Sequence, residues 1–238
     1  MPLSTVRTLW HMARGGRGAD HEARLSDFYG PQAEGYDAFR ERLLHGRAAL
    51  IEALAPAPGS RIAEVGGGTA RNLLFFGESL STFANVDVID LCRPLLDVAE
   101  RRIAAQGWDN VRLHHADATR FRADEPYDVI YFSYSLSMIP DWWRALETAI
   151  GNLAPGGRIG VVDFYVSRRH PAAGRVRHGA WTRTAWPLWF RRDGVHLRED
   201  LLPYLEDRLA LESCVEARGR LPYTPLRVPH CVVVGRPR

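Results

Sequence analysis

Five short stretches of this 238-residue chain hold residue types suited to a small polar ligand, and each adjoins an apolar run. The first is Glu64-Val65-Gly66-Gly67-Gly68-Thr69-Ala70. A turn without side chains lets a ligand approach the backbone closely; taken alone, it is also a plain strand-to-helix turn. A P-loop is excluded, because no Gly-Lys-Ser/Thr follows. Asp90 comes 26 residues after Glu64. A carboxylate at that distance can accept from both hydroxyls of a ribose, or simply cap a helix. Asp117, in HHADA, can accept from an adenine amino group or cap a turn. Ser133-Tyr134-Ser135 would line the pocket beside a transferred group, and Pro155-Gly156-Gly157 is the fifth mark.

The elements that must position these residues alternate in type. Residues 32–55 read as a helix, with Phe39, Leu43, Leu44, Ile51 and Leu54 at helical spacing and Pro56 to Gly59 as its stop. Strands are predicted at 61–65, 85–90, 111–117, 127–133 and 158–164, and helices at 69–79, 93–106 and 141–153. A short helix at 199–206 and closing strands at 210–218 and 230–235 complete the series. This pattern predicts an α/β fold: a doubly wound, mainly parallel, seven-stranded sheet forming a single domain over 1–238. Residues 1–55 would form N-terminal lid helices and 165–198 a basic, Trp-rich cap insertion. Ligands in such folds sit at the carboxyl ends of the strands, which is where the first four marks fall; the Pro-Gly-Gly mark precedes the fifth strand.

Composition narrows the chemistry further. All 31 basic residues are arginine, so no lysine Schiff base or lysine general base is available. Three scattered cysteines fit neither a disulfide framework nor zinc-ligand spacing, so no metal is expected. No apolar run is long enough to span a bilayer, and the N-terminus lacks an apolar secretory core. The expected location is therefore cytoplasmic. From Tyr165 to Arg198 the chain carries eight arginines and one aspartate against a whole-chain charge of +3. A basic segment on a slightly acidic body suggests an anionic surface as partner.

The series AEVGGGTARN, VDVIDLC, HHADATRF, YDVIYFSYSLS and LAPGGRIGVVDF resembles the class I S-adenosylmethionine-dependent methyltransferase signature over about residues 60–164. The resemblance implies a Rossmann-like fold and S-adenosyl-L-methionine as cofactor. It places Glu64, Gly66, Gly67 and Gly68 at the methionine side, Asp90 with Leu91 at the ribose, and Asp117 with Ala118 at the adenine, with Ser133 beside them. Ala70 stands where a third glycine is usual, and the Asn-Pro-Pro-Tyr motif of base N-methylation is absent.

The stretch from Arg14 to Arg47, containing FYGPQAEGYDAFRERLLHGR, is similar to the entry helix of the bacterial betaine-lipid N-methyltransferases. These trimethylate diacylglyceryl homoserine, so the resemblance implies a lipid amine as acceptor and an upstream aminocarboxypropyl transferase as partner. The cap agrees with a peripheral position on the inner face of the membrane. Trp181, Trp186, Trp189 and Phe190 interleave with its arginines, as at a headgroup layer. A buried substrate cap is the plainer alternative, and a single-stranded nucleic-acid surface a remote one, so no nucleic-acid partner is expected.

Methyl transfer needs mainly alignment of acceptor, methyl carbon and sulfur, because the donor is already activated. A tyrosine cradle for a growing ammonium is drawn from Tyr29, Tyr36, Tyr134 and Tyr165. Tyr134 and Tyr36 are taken as catalytic, and Tyr36 also as a cofactor contact. Arg47 or Arg40 would pair with a carboxylate of the cofactor or of the headgroup. Arg168 and His170, with Tyr29 and Tyr165, would bind substrate. His170 and His178 could relay protons or stand solvated. A methyltransferase for another lipophilic acceptor, such as a quinone precursor, shares the same core motifs, and a nicotinamide-dependent oxidoreductase is the rival of a different class.

Overall fold

The computed structural model describes residues 22, 23, 25, 27 and 41–238. Its sheet has seven strands: β1 (Arg61–Val65), β2 (Asn85–Asp90), β3 (Val111–His115), β4 (Tyr127–Ser133), β5 (Leu153–Phe164), β6 (Leu209–Arg220) and β7 (Arg227–Pro237). Their order is β3-β2-β1-β4-β5-β7-β6, with only β7 antiparallel to its neighbours. β1 and β4 lie centrally and are buried along nearly their whole length, as parallel strands covered on both faces must be.

Helices α1 (Arg47–Leu54), α2 (Arg93–Gln106), α3 (Trp142–Gly151), α4 (Ala180–Arg191) and α5 (Leu201–Arg208) cover the sheet, with a 3-10 helix at Arg71–Thr82. α2 starts with Pro94 in its first turn, where the missing N–H costs nothing, and stops at the left-handed Gly107. One apolar core joins α1 and the 3-10 helix to one sheet face; the other joins α3 and α5 to the opposite face.

Several boundaries differ from the sequence expectation. Residues 41–43 are helical, but the helix expected over 32–55 breaks at 44–46 before resuming as α1. Gly46 takes φ 82°, and its Cα packs so closely on Val232 of β7 that a Cβ would approach to 2.9 Å. The helix expected at 69–79 is a 3-10 helix kinked at Gly77. β3 ends at His115, two residues earlier than expected. β5 begins at Leu153 instead of 158, because a register shift between Tyr127 and Val129 lets the Pro-Gly-Gly stretch continue the ladder. Within the stretch 165–198, expected as a cap insertion with no element assigned, the chain forms α4.

Candidate active site

A cavity of about 230 Å³ opens at the carboxyl ends of β1 to β4. The glycine turn after β1 forms its floor. Gly66 has φ 70°, and a Cβ there would overlap the Ser135 side chain; its N–H donates to Ile89 O at 2.7 Å. Behind it, a Cβ on Gly67 would come within 2.6 Å of Val88 and 3.0 Å of the Glu64 side chain. The turn therefore has no room for side chains on either side, and its backbone is the surface a ligand meets at Gly66 and Gly68.

Asp90 ties this floor together. One carboxylate oxygen accepts from Gly68 N–H and the other from Cys92 N–H, both at 2.8 Å. A carboxylate accepts from hydroxyls as readily as from N–H groups, so Asp90 suits a diol. Asp117 accepts from the N–H and the hydroxyl of Thr119, both at 2.8 Å, which makes it a turn cap as well as a cavity residue. Between the two carboxylates the wall is apolar, formed by Ile89, Leu91, Leu95, Ala118 and Met138. Two carboxylates, two side-chain-free backbone positions and an apolar slot fit a ligand with a diol, a flat ring and a charged tail. S-adenosylmethionine is such a molecule.

Cys92 lines the same cavity, but burial first, and the carboxylates of Asp90 and Asp97 after it, push its thiol up to about 12. It stays protonated at neutral pH and is no nucleophile. Tyr134 stands at the rim in the left-handed region, φ 56°, a strained backbone of the kind that gathers at functional sites. Its hydroxyl donates to the His45 carbonyl at 2.6 Å, and its ring packs on Phe164 with centroids 4.5 Å apart. Ser135 donates to Val65 O at 2.7 Å, pinning β4's end to β1's.

The cavity thus gathers Gly66, Gly68, Asp90, Leu91, Asp117, Ala118 and Tyr134. Glu64, Gly67 and Ser133 do not line it. Glu64 is fully buried beneath the turn and accepts from Asn72 Nδ2 at 2.5 Å. Arg47, expected at a carboxylate of cofactor or headgroup, is buried behind that pair and donates to Asn72 Oδ1 at 3.1 Å and to Leu44 O. It supports the turn from below. Ser133 is buried, with no hydrogen-bond partner for its hydroxyl among the described residues.

Tyr165, Arg168 and His170 line a different, smaller cavity of about 100 Å³ beside α5. Tyr165 does not join Tyr134 in a cradle: it is buried and donates to the Glu216 carboxylate. His178 is buried as well. Its Nδ1 accepts from Ser167 N–H at 2.9 Å, and burial lowers its pKa, so it is a neutral structural acceptor. Tyr29, Tyr36 and Arg40 lie outside the described residues. Sequence reasoning missed Met138 to Asp141 and Arg144, which close the cavity's far side. The usable signal was position: they follow β4 at the same carboxyl edge.

Asp163 supports the rim from within the sheet. It is fully buried and accepts from Ser137 N–H at 2.9 Å and from its neighbour Phe164 N–H at 2.7 Å. Burial pushes its carboxyl up to about 6 against these donors.

Residues 62–157 match the family model described as "Methyltransferase domain". Demethylmenaquinone methyltransferase of Clavibacter sepedonicus is 33% identical over 119 residues, 50% of this chain and 46% of that protein. The ubiquinone/menaquinone biosynthesis C-methyltransferase UbiE of Ruegeria sp. is 30% identical over 159 residues, 61% of each. The chain spans about half to three-fifths of the length of these curated relatives. Among solved structures, the [4+2]-cyclase SpnF superposes with a TM-score of 0.69 at 14% identity, covering 94% of this chain and 98% of that one. The N-methyltransferase NodS from Bradyrhizobium japonicum gives 0.58 at 17% identity, covering 87% and 99%. The two share the fold and differ in the reactions named for them, so the fold alone does not assign the reaction. The family match, the strand order and the cavity agree: residues 62–157 are similar to a methyltransferase domain, on a Rossmann-like methyltransferase fold whose cofactor is S-adenosylmethionine.

Proposed function

We propose that the protein transfers methyl groups from S-adenosylmethionine to the amine of diacylglyceryl homoserine, giving the trimethylated betaine lipid. The observation that carries a lipid-borne acceptor is a row of aromatic contacts. Tyr134 at the cavity rim packs on Phe164, which packs on Phe190 of α4 at 5.0 Å, and α4 turns tryptophans and a leucine outward. Two phenylalanines thus join the cavity-lining Tyr134 to a helix whose outer face suits lipid. The likeness of residues 14–47 to betaine-lipid enzymes supplies the particular acceptor. On this reading the protein works at the inner face of the membrane, supplied by an upstream aminocarboxypropyl transferase.

When bound, S-adenosylmethionine supplies a methyl group activated by a positively charged sulfur. The chain's residues then have to hold and align. Asp90 would hold the ribose hydroxyls and Asp117 the adenine edge, while the Gly66–Gly68 backbone sets how deep the ligand sits. Tyr134 offers its ring to the amine as it becomes cationic, a contact worth about 0.5–2 kcal/mol. Its hydroxyl is engaged with His45, so a proton relay through it has no support. Protons from the first two transfers can pass to water at the rim beside the exposed Asp141.

The names of the curated relatives favour a second reading, C-methylation of a quinone precursor. Labelled S-adenosylmethionine with diacylglyceryl homoserine in mixed micelles, followed by mass analysis of the lipids, separates the two. Stepwise gains of one, two and three methyl groups are expected. A labelled demethylmenaquinone with untouched lipid would replace the first reading by the second.

A further inference from the structure

We infer that the outer face of α4, with its flanking arginines, is a docking surface for an anionic phospholipid bilayer; this deepens the lipid-acceptor reading. At 100° per residue, Trp181, Leu188 and Arg192 fall on one line of the helix, with Trp189 beside it. Trp181 is 65% exposed, Leu188 68% and Trp189 55%. The opposite line carries Trp186 and Phe190, both buried. Side chains of this size left facing outward on one helix call for a partner.

Two further observations say which partner. The first is charge. From Val166 to Arg192 there are seven arginines and no acidic residue. Arg175 is committed to Glu206, but Arg168, Arg169, Arg177, Arg191 and Arg192 are exposed. The nearest acids in sequence are Asp163, which is fully buried, Asp193, which is partly buried, and Glu199 and Asp200 beyond Arg198. The second is preorganisation. Trp181 and Trp189 each meet the buried Trp186 edge-on, at 6.0 and 6.2 Å, so they are held outward by packing. Fixed tryptophans among arginines match the headgroup layer of an anionic bilayer, where indoles sit at the interface and guanidinium groups meet lipid phosphates. α4 has 12 residues, and no described helix is long and apolar enough to cross a membrane. It would lie in the interface.

Sedimentation of the purified protein with vesicles tests this. One set is phosphatidylcholine alone, the other has one-third phosphatidylglycerol. Binding to the anionic vesicles is expected to be at least tenfold tighter than to the neutral ones. Trp181→Ala with Trp189→Ala weakens it at least tenfold, and Arg191→Ala with Arg192→Ala about thirtyfold. Trp143→Ala removes a tryptophan 48% exposed on α3, outside the basic segment, and leaves binding unchanged. Failure to bind the anionic vesicles overturns the inference, as does equal loss in the Trp143 variant. So does a single-stranded oligonucleotide that binds through the same tryptophans and excludes vesicles. Vesicle binding without lipid methylation overturns the acceptor reading alone; methylation in micelles without vesicle binding overturns docking alone.

Discussion

The carboxyl edge of β1 to β4 and the segment after β5 solve different problems with different materials. At the first, contacts come from backbone and short side chains: two glycines, two carboxylates and a serine, each fixed by a hydrogen bond within three residues of a strand end. At the second, long side chains do the work: tryptophans and arginines on one short helix, sorted by whether they face the sheet or face outward. A small cofactor needs positions exact to a fraction of an ångström, and backbone gives that. A broad acceptor surface needs area and charge, which tolerate variation in place.

Three substitutions press on this contrast. Gly66→Ala should have the largest effect. Its methyl would overlap Ser135, and alanine is strained at φ 70°, so a stability loss of roughly 2–4 kcal/mol is expected. Thermal unfolding measures that loss, and calorimetric titration should find S-adenosylmethionine affinity gone. Retained affinity would mean that the turn is less rigid than its contacts imply.

Asp163 lies at the seam of the two regions, on β5 yet bonded to the loop after β4. Its carboxyl is raised from 3.8 to about 6, so the folded chain holds this proton more tightly than the unfolded one. That contribution is full below about pH 4 and is lost as pH rises through 6, about 3 kcal/mol by pH 8. Asp163→Asn stays neutral and keeps an acceptor oxygen. The variant's stability should therefore fall less than the parent's between pH 5 and 8 in denaturant titrations; parallel slopes would show that the buried carboxyl is ionised without cost.

Tyr134→Phe should have the smallest effect. It removes the donor to His45 O, about 1 kcal/mol of stability, with turnover within about threefold of the parent. A hundredfold fall in kcat at unchanged KM would instead put the hydroxyl in the chemistry.

The cofactor region was legible because its signals are local. α2 runs over the expected residues, since Pro94 and Gly107 mark its ends in the sequence itself. Asp90 and Asp117 could be placed by strand ends alone. What was not legible depended on distant neighbours. Gly46 breaks the first helix because β7, some 185 residues later, presses on it. Arg47 resembles a ligand-binding arginine until Asn72, itself bonded to Glu64, is seen to engage it. Tyr165 and Tyr134 are both aromatic residues just past strand ends, yet they fall in separate cavities, and only the packing of β5 against β7 shows it. The period of α4 was masked because tryptophan occupies both its faces and Pro187 interrupts it.

The strand order carries a consequence in time. Among the described residues β6 has its only ladder partner in β7, and β7 also flanks β5. During synthesis β6 emerges first and has nothing to pair with until residues 227–237 leave the ribosome. The parallel part of the sheet can assemble early, while β6 waits as an open edge, the kind of strand that invites mispairing. Completion of this fold is thus gated by one late strand, and a stall in translation shortly before it would leave the nascent chain at its most aggregation-prone.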